Sequence, residues 1–176
     1  MIVGSKLHAG EIDCLVSRLV NRVRWLGVFA SDKLPDVTCE IRPWCLILNT
    51  DPKNQPGTHW LACYAPLVSG IELFDSFGFS PSMYNLEFFD PLHSSYCLQS
   101  PSTSVCGHYC IVYIYLRSPN YSFSDIVYLL LIFHVVIYGS TSIFTVCKFV
   151  FAFSIHVTEL VNVANYNVNF VKQIKM

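Results

Sequence analysis

The sequence predicts an α+β fold, and three observations carry that prediction. Residues 11–24 place apolar side chains at steps of three and four residues, which is typical of an amphipathic helix. Short apolar runs bounded by proline, glycine and asparagine follow, as expected of buried strands. The stretch 107–117 is apolar or aromatic on every face, which indicates a central buried helix or strand. A chain of 176 residues is large enough to bury such a core.

The elements follow one another in a consistent order. In the first helix, Ile12, Leu15, Leu19 and Val23 form the apolar face. The run "PWCLILNT" then predicts a buried strand that ends in the turn-rich "NTDPKNQPGT".

Two further strands are predicted from "HWLACYAPL" and "GIELFDSFG", which "VSG" separates. The short separation predicts that they pair antiparallel in the core. Residues 79–103 are predicted to be mostly loop, with a short helix near 84–89. Cys106 then stands at the N-terminal end of the central element.

Charge and cysteine usage limit the classes of function. The chain has 11 Lys plus Arg against 12 Asp plus Glu and no basic run, which argues against a nucleic-acid surface. Its eight cysteines show no regular spacing, and the N-terminal residues carry no secretory signal. The thiols are therefore expected to be reduced, with the protein inside the cell, in the nucleus or the cytoplasm.

Residues 126–157 differ in composition from the rest, because Lys148 is their only Asp, Glu, Lys or Arg. A membrane span of about 20 apolar residues would have to include Lys148. A buried hairpin turning at "GSTS" and a non-native insert are the two alternatives, and the sequence leaves all three open. Residues 158–176 are predicted to form a C-terminal helix that belongs to the domain formed by residues 1–125.

Cys106 is a candidate nucleophile because it precedes Gly107 at the start of the central element. If that element is a helix, its N-terminus lowers the pKa of the thiol and favours the reactive thiolate. The alternative is a buried structural thiol, which suits Cys63 and Cys110. A zinc site at Cys106, His108 and Cys110 is disfavoured, since no second pair of Cys or His has the usual spacing.

Three further side chains are candidates for the same site. His59 lies at the start of a strand and is the candidate base, and Asp75 near the end of the next strand can reach its imidazole if the strands pair. Gln99 lies seven residues before Cys106, close enough to bring its amide beside the Cys106 backbone N–H. The alternatives are a structural histidine, an Asx turn at Asp75 and a solvated glutamine.

The order His-Trp, acid, Gln and Cys-Gly resembles the adenovirus proteases (adenains) and their relatives in Maverick/Polinton transposons. More distantly, it resembles the ubiquitin-like-protein proteases. The matching text includes "PGTHWLACY", "IELFDSFGFSP" and "QSPSTSVCGHYCIVYIYLR", within residues 25–125. The resemblance implies a papain-like, adenain-like fold in which a Cys-bearing helix packs on an antiparallel sheet bearing His and Asp. On this basis, residues 1–125 are predicted to be an adenain-like cysteine protease domain.

The resemblance also assigns roles to single residues. Cys106 is the nucleophile, and His59 is the general base and acid. Asp75 orients His59, in place of the Glu that most adenovirus enzymes have. Gln99 donates to the oxyanion together with the Cys106 backbone N–H.

The implied function is that of a cysteine endopeptidase that cleaves at small or Gly-containing sites, with Trp60 and Gly107 beside the substrate cleft. Its expected partners are a protein or polypeptide substrate, such as a capsid-like precursor of a transposon or virus, and a peptide activator. No metal or other cofactor is needed, and membrane association through residues 126–157 stays open. Two alternatives remain: a deconjugase for a ubiquitin-like protein, and an inactive remnant that acts as an interaction module.

Overall fold

The computed structural model describes residues 6–86, 92–118 and 121–138. Within those ranges, three α-helices and one five-stranded sheet form an α+β arrangement with the strand order β1-β2-β3-β4-β5. The helices are α1 (Ala9–Leu19), α2 (Cys106–Arg117) and α3 (Phe123–Tyr138). The strands are β1 (Arg24–Ala30), β2 (Trp44–Asn49), β3 (Trp60–Ala65), β4 (Glu72–Phe74) and β5 (Leu92–His93).

The predicted first helix is present, but it is shorter than expected. It starts after His8, whose backbone N–H donates to the Glu11 carboxylate at 2.8 Å. Ile12 and Val16 bury its apolar face, whereas Leu15 is 39 % exposed. The helix ends at Leu19 rather than at residue 24, because the chain turns there into β1.

Both faces of the two central strands are covered. Every residue of β2 and β3 is buried, and since successive side chains of a strand point to opposite faces, each strand contributes to two cores. One core lies between the sheet and α1, α2 and α3, and it includes Ile47 and Ala62. The other lies on the opposite face and includes Leu46 and Leu61.

The second half of helix α2 is fixed to β4 by Tyr113 and Arg117. The ring of Tyr113 stacks on Phe74 with 4.6 Å between centroids, and its hydroxyl donates to Glu72 at 2.7 Å. At the end of the helix, Arg117 forms a two-pronged ion pair with the Glu72 carboxylate, at 2.8 Å and 2.9 Å. The Arg117 guanidinium also lies 4.6 Å from the centroid of the Tyr64 ring. These contacts set the rotation of α2 and its position along β4.

The sheet is mixed, so the prediction of an antiparallel sheet is correct only at its centre. β2, β3 and β4 are antiparallel neighbours, as predicted for the last two. β1 is parallel to β2 and β5 is parallel to β4. The connection over residues 31–43 is long enough to return the chain for a parallel pairing. A hydrophobic pattern fixes the face that a strand buries, but it does not fix the direction of the neighbouring strand.

The central stretch 107–117 forms a helix rather than a strand, with Cys106 as its first residue. A 3-10 helix at Pro81–Tyr84 lies at the start of the stretch 84–89 for which a short helix is predicted, and residues 87–89 of that stretch lie outside the described residues. Pro81 is favoured at a first helical position, and Asn85 ends the turn with a left-handed φ of 56°.

The C-terminal predictions fall largely beyond the described residues. Helix α3 runs through residue 126, where the atypical apolar segment was predicted to begin. The part of that segment after Tyr138 and the predicted C-terminal helix at 158–176 both lie outside the described residues. Among the helices in the described ranges, none has the length and apolar character that crossing a membrane requires.

Replacing Arg117 tests the anchor between α2 and β4. Arg117→Met is expected to lower the free energy of unfolding by about 3 kcal/mol, because a buried carboxylate loses its charged partner; Glu72 is 4 % exposed. Arg24→Met is the matched control, since the Arg24 side chain, paired with Glu40, is 54 % exposed. Its expected loss is under about 1 kcal/mol. Equal losses in equilibrium urea unfolding would contradict the anchoring role.

Candidate active site

The four predicted catalytic residues lie at the ends of neighbouring elements. His59 directly precedes β3 and Asp75 directly follows β4, and the antiparallel pairing of these strands brings the two residues together. Cys106 is the first residue of α2, and Gln99 lies in the loop before that helix. All four residues are buried, with at most 6 % of their surface exposed. The solvated alternative for Gln99 is therefore wrong.

The Asp75 carboxylate accepts hydrogen bonds from four donors. Oδ1 accepts from His59 Nε2 at 2.7 Å and from the Phe77 backbone N–H at 2.8 Å. Oδ2 accepts from the Tyr84 hydroxyl at 2.8 Å and from the Phe79 backbone N–H at 3.1 Å. Burial opposes ionisation, but the hydrogen bond from His59 and the other donors outweigh it and hold the pKa of Asp75 below its ordinary value. The two alternatives considered for Asp75, an Asx turn and a contact with His59, are therefore both present.

His59 lies between Asp75 and Cys106. With Nε2 bound to Asp75, Nδ1 is the ring nitrogen left for the Cys106 thiol. Among the described residues Nδ1 is buried and has no hydrogen-bond partner, while Cys106 lies close enough to raise the pKa of the ring. Burial would lower the pKa of His59, but Asp75 and Cys106 raise it from 6.5 to about 9. The ring of Phe77 lies against the imidazole with 4.5 Å between centroids. The imidazole is therefore held in place and favoured in its protonated form.

The thiol of Cys106 is favoured as a thiolate. Burial raises the pKa of the thiol, but the interaction with His59 and the backbone of Trp60 and Gly107 outweigh it, so the pKa lies below its ordinary value. The position at the N-terminus of α2 acts in the same direction. The arrangement therefore favours a thiolate–imidazolium pair between Cys106 and His59.

The other buried thiols behave differently. Burial raises the pKa of Cys45 and Cys63 to about 12, and it raises the pKa of Cys110 well above the ordinary value. Cys110, one turn after Cys106, donates its S–H to the Trp60 carbonyl at 3.2 Å. In the described part of the chain, no three His, Cys, Asp or Glu side chains are grouped so that they could hold a metal ion.

Gln99 is fixed by contacts at both ends of its side-chain amide. Its Oε1 accepts a hydrogen bond from the Ser76 hydroxyl at 2.8 Å, and its Nε2 donates to the Thr103 carbonyl at 2.8 Å. The backbone N–H groups of Leu98 and Gln99 both donate to the Ser76 carbonyl, at 2.8 Å and 2.9 Å. Because an amide nitrogen carries two hydrogens, one N–H remains for another acceptor.

Trp60 and Gly107 form a contact between β3, α1 and α2. The indole N–H of Trp60 donates to the Leu7 carbonyl at 3.1 Å. A Cβ at Gly107 would lie 3.2 Å from both Ile12 Cδ1 and Trp60 Cδ1. Gly107 therefore allows the start of α2 to pack closely against its neighbours, a reason for glycine that its sequence position alone did not indicate.

A cavity of about 630 Å³ borders Trp60. Its walls come from the start of α1, the ends of β1 and β2, and the loop that leads to β3. The cavity is large enough for several residues of an extended peptide. Its charged lining residues are Lys6, Lys33, Lys53 and Asp51.

Sequence reasoning missed two residues of the site. Ser76 contacts Gln99, and Tyr84 contacts Asp75. The position of Ser76 next to Asp75 was the only available signal, because its contact with Gln99 spans 23 residues of the chain. Neither contact follows from local pattern, since each depends on how loops fold over the end of β4.

No family model matches the chain. Curated proteases of adenoviruses are similar to part of it. The protease of porcine adenovirus A serotype 3 is 30 % identical over 120 residues, which are 55 % of this chain and 58 % of that protein. The protease of bovine adenovirus B serotype 3 is 28 % identical over 113 residues, covering 52 % of this chain and 54 % of the relative.

A third relative, the protease of human adenovirus A serotype 12, is 27 % identical over 126 residues, or 60 % of this chain and 61 % of that protein. The chain thus spans only about half to three fifths of the length of these relatives. Together they support a distant kinship with adenovirus proteases. They carry no information about a transposon origin or about ubiquitin-like-protein proteases.

The thiolate pair can be tested by alkylation with iodoacetamide at a series of pH values, with the labelled cysteines mapped by mass spectrometry. Cys106 is expected to react at a pH below the ordinary thiol pKa, because His59 stabilises the thiolate. His59→Ala should slow its labelling at pH 7 by about tenfold or more, since one pKa unit is a factor of ten. Cys45 and Cys63 serve as internal controls that stay unreactive in the folded protein. Equal labelling of Cys106 in wild type and His59→Ala would contradict the pair.

Proposed function

We propose that this protein is a cysteine endopeptidase of the adenain-like type. The observation that carries the proposal is the position of His59, whose Nε2 is bound to the Asp75 carboxylate at 2.7 Å and whose pKa is raised by Asp75 and by the neighbouring Cys106. The buried amide of Gln99 in the loop before α2 supports it further. The distant similarity to adenovirus proteases is consistent with the same chemistry.

In the first half of the proposed reaction, the Cys106 thiolate attacks the carbonyl carbon of a peptide bond. A C–S bond forms, and the electron pair of the carbonyl moves onto its oxygen. The second N–H of Gln99 Nε2 and the backbone N–H of Cys106 donate to this oxyanion. His59 then gives its Nδ1 proton to the leaving amine, the C–N bond breaks, and a thioester remains.

In the second half, water hydrolyses the thioester. His59, now neutral, takes a proton from the water as its oxygen attacks the thioester carbon. The C–S bond breaks, the carboxylic acid product leaves, and the thiolate and imidazolium are restored. Asp75 stays ionised throughout, holds the ring with Nδ1 toward Cys106, and stabilises the imidazolium. No step requires a metal or cofactor.

The proposed substrate is a polypeptide that presents a small or Gly-containing site, such as a capsid-like precursor of a virus or a Maverick/Polinton-type transposon. Trp60 lies near Cys106 and Gly107 directly follows it, and these two residues are the proposed border of the cleft at the scissile bond. The cavity that borders Trp60 is the proposed location of residues farther from that bond. A peptide activator, as implied by the resemblance, would be a second partner.

A deconjugase for a ubiquitin-like protein is the second candidate, and the presence of Asp at position 75 favours it. Among the resembling families, Asp is the residue that ubiquitin-like-protein proteases have at this place. Cleavage of a Gly-Gly isopeptide, without cleavage of capsid-like peptides, would select this candidate. An inactive remnant that serves as an interaction module would show no cleavage of either.

Internally quenched peptides with glycine on one or both sides of the scissile bond test the proposed activity directly. Wild type is expected to cleave them, and Cys106→Ala or His59→Ala should lower kcat/KM by about 10⁴-fold or more, because each removes part of one reacting unit. Cys14→Ser is the matched cysteine control, since Cys14 is exposed on α1 and should leave kcat/KM unchanged. Cleavage that survives Cys106→Ala would exclude the proposed mechanism.

The pH dependence of cleavage should be bell-shaped. As the pH falls through the lowered pKa of Cys106, the thiolate gains a proton and the rate drops. As the pH rises through about 9, His59 loses the proton that it must give to the leaving amine, and the rate drops again. Values of kcat/KM measured from pH 5 to pH 10.5 check the acidic and the basic limb of the profile. A basic limb near the ordinary histidine pKa of about 6.5 would contradict the raised pKa.

A further inference from the structure

We infer that Ser76 is a positioning residue that holds the Gln99 amide in the orientation needed to donate to the oxyanion. This inference rests on the proposed function. Ser76 is fully buried, and its hydroxyl donates to Gln99 Oε1 at 2.8 Å. Its carbonyl accepts the backbone N–H groups of both Leu98 and Gln99. Ser76 thus fixes the backbone and the side chain of the same glutamine.

The contact with Thr103 selects one of the two orientations of the amide, and the Ser76 hydroxyl then holds it in place. Gln99 Nε2 donates to the Thr103 carbonyl, which can only accept. A flipped amide would place Oε1 against that carbonyl, so that two acceptors would face each other. The Ser76 hydroxyl satisfies Oε1 in the orientation observed. In this orientation the second N–H of Nε2 is the group left to donate to an oxyanion.

Loss of the Ser76 hydroxyl would leave Oε1 buried without its donor. Gln99 is 1 % exposed, so water could replace that donor only if the amide or the loop moved. Either movement would shift the remaining N–H away from the position of the oxyanion. The contacts of His59 with Asp75 and Cys106 do not pass through the Ser76 hydroxyl, so the thiolate pair should persist. Ser76 should therefore affect the oxyanion without affecting formation of the thiolate.

Two probes of Cys106 separate these effects. The first probe is an acetylated peptide aldehyde that ends in glycinal. The Cys106 thiolate adds to its carbonyl carbon, a C–S bond forms, and the electron pair of the carbonyl moves onto the oxygen, which is then an oxyanion that needs the Gln99 donor. Iodoacetamide is attacked at its CH₂ carbon and releases iodide, so no oxyanion forms. Ser76→Ala should weaken aldehyde binding and lower kcat by about ten- to a hundredfold, less than complete loss of a donor. The alkylation rate of Cys106, its pH profile and KM should stay near wild type.

Gln99→Ala sets the limit of the effect, and the double variant tests the link between the two residues. If Ser76 acts through Gln99, Ser76→Ala should have little further effect in the Gln99→Ala background. Ser94→Ala is the matched control, because Ser94 is also buried, and its hydroxyl accepts from the Tyr96 backbone rather than contacting Gln99. That control should leave aldehyde binding unchanged.

A second variant covers the case in which Ser76→Ala does not fold. Ser76→Cys keeps a side chain of similar size with a weaker donor, and it should give an intermediate loss of aldehyde binding. Labelling at position 76 is separated from labelling at Cys106 by peptide mapping. Three outcomes would overturn the role of Ser76. The first is that Ser76→Ala slows alkylation as much as it weakens aldehyde binding, and the second is that it changes neither. The third is that the losses of Ser76→Ala and Gln99→Ala add up in the double variant. A wild type that neither cleaves peptide nor binds the aldehyde would overturn the proposed function, and this inference with it.

Discussion

Asp75 is only 2 % exposed, and an ionised carboxylate without partners would be costly in such a buried position. Four donors compensate for the lost water, and they come from the start of β3, from the backbone after β4 and from the 3-10 helix at Pro81–Tyr84. Because these segments must all close around the carboxylate, the loop after β4 has little conformational freedom. The charge in turn favours protonated His59, and protonated His59 favours the thiolate of Cys106.

The segment formed by β4 and Asp75 is connected to both ends of the central helix. Asp75, just after β4, is linked through His59 to Cys106 at the start of α2, while Glu72, the first residue of β4, binds Arg117 at its end. A helix of this length spans roughly 18 Å, so two distant attachments resist tilting better than one. The interactions that stabilise the packing of α2 therefore also determine where the thiol lies relative to the imidazole.

The sequence was sufficient to predict those parts of the site that depend on neighbouring strands. An antiparallel pair places His59 beside Asp75, and the glycine after Cys106 together with the apolar stretch that follows indicated where the central element begins, although not that it is a helix. The direction of the edge strands, the role of Glu72 and the contacts of Ser76 could not be predicted in this way. Each depends on residues distant in the chain that meet only after the sheet and α2 have packed.

The position of Trp60 gives the molecule an intrinsic optical reporter. The chain has three tryptophans, and Trp60, whose backbone lies near Cys106, is the one that lines the cavity. Trp44 is packed in the core on the opposite face of the sheet, and the indole of Trp25 donates to Asp13. A peptide that enters the cavity would change the surroundings of Trp60 while leaving the other two indoles as they are. Occupancy could thus be followed by fluorescence quenching or emission shift, without a label and without turnover.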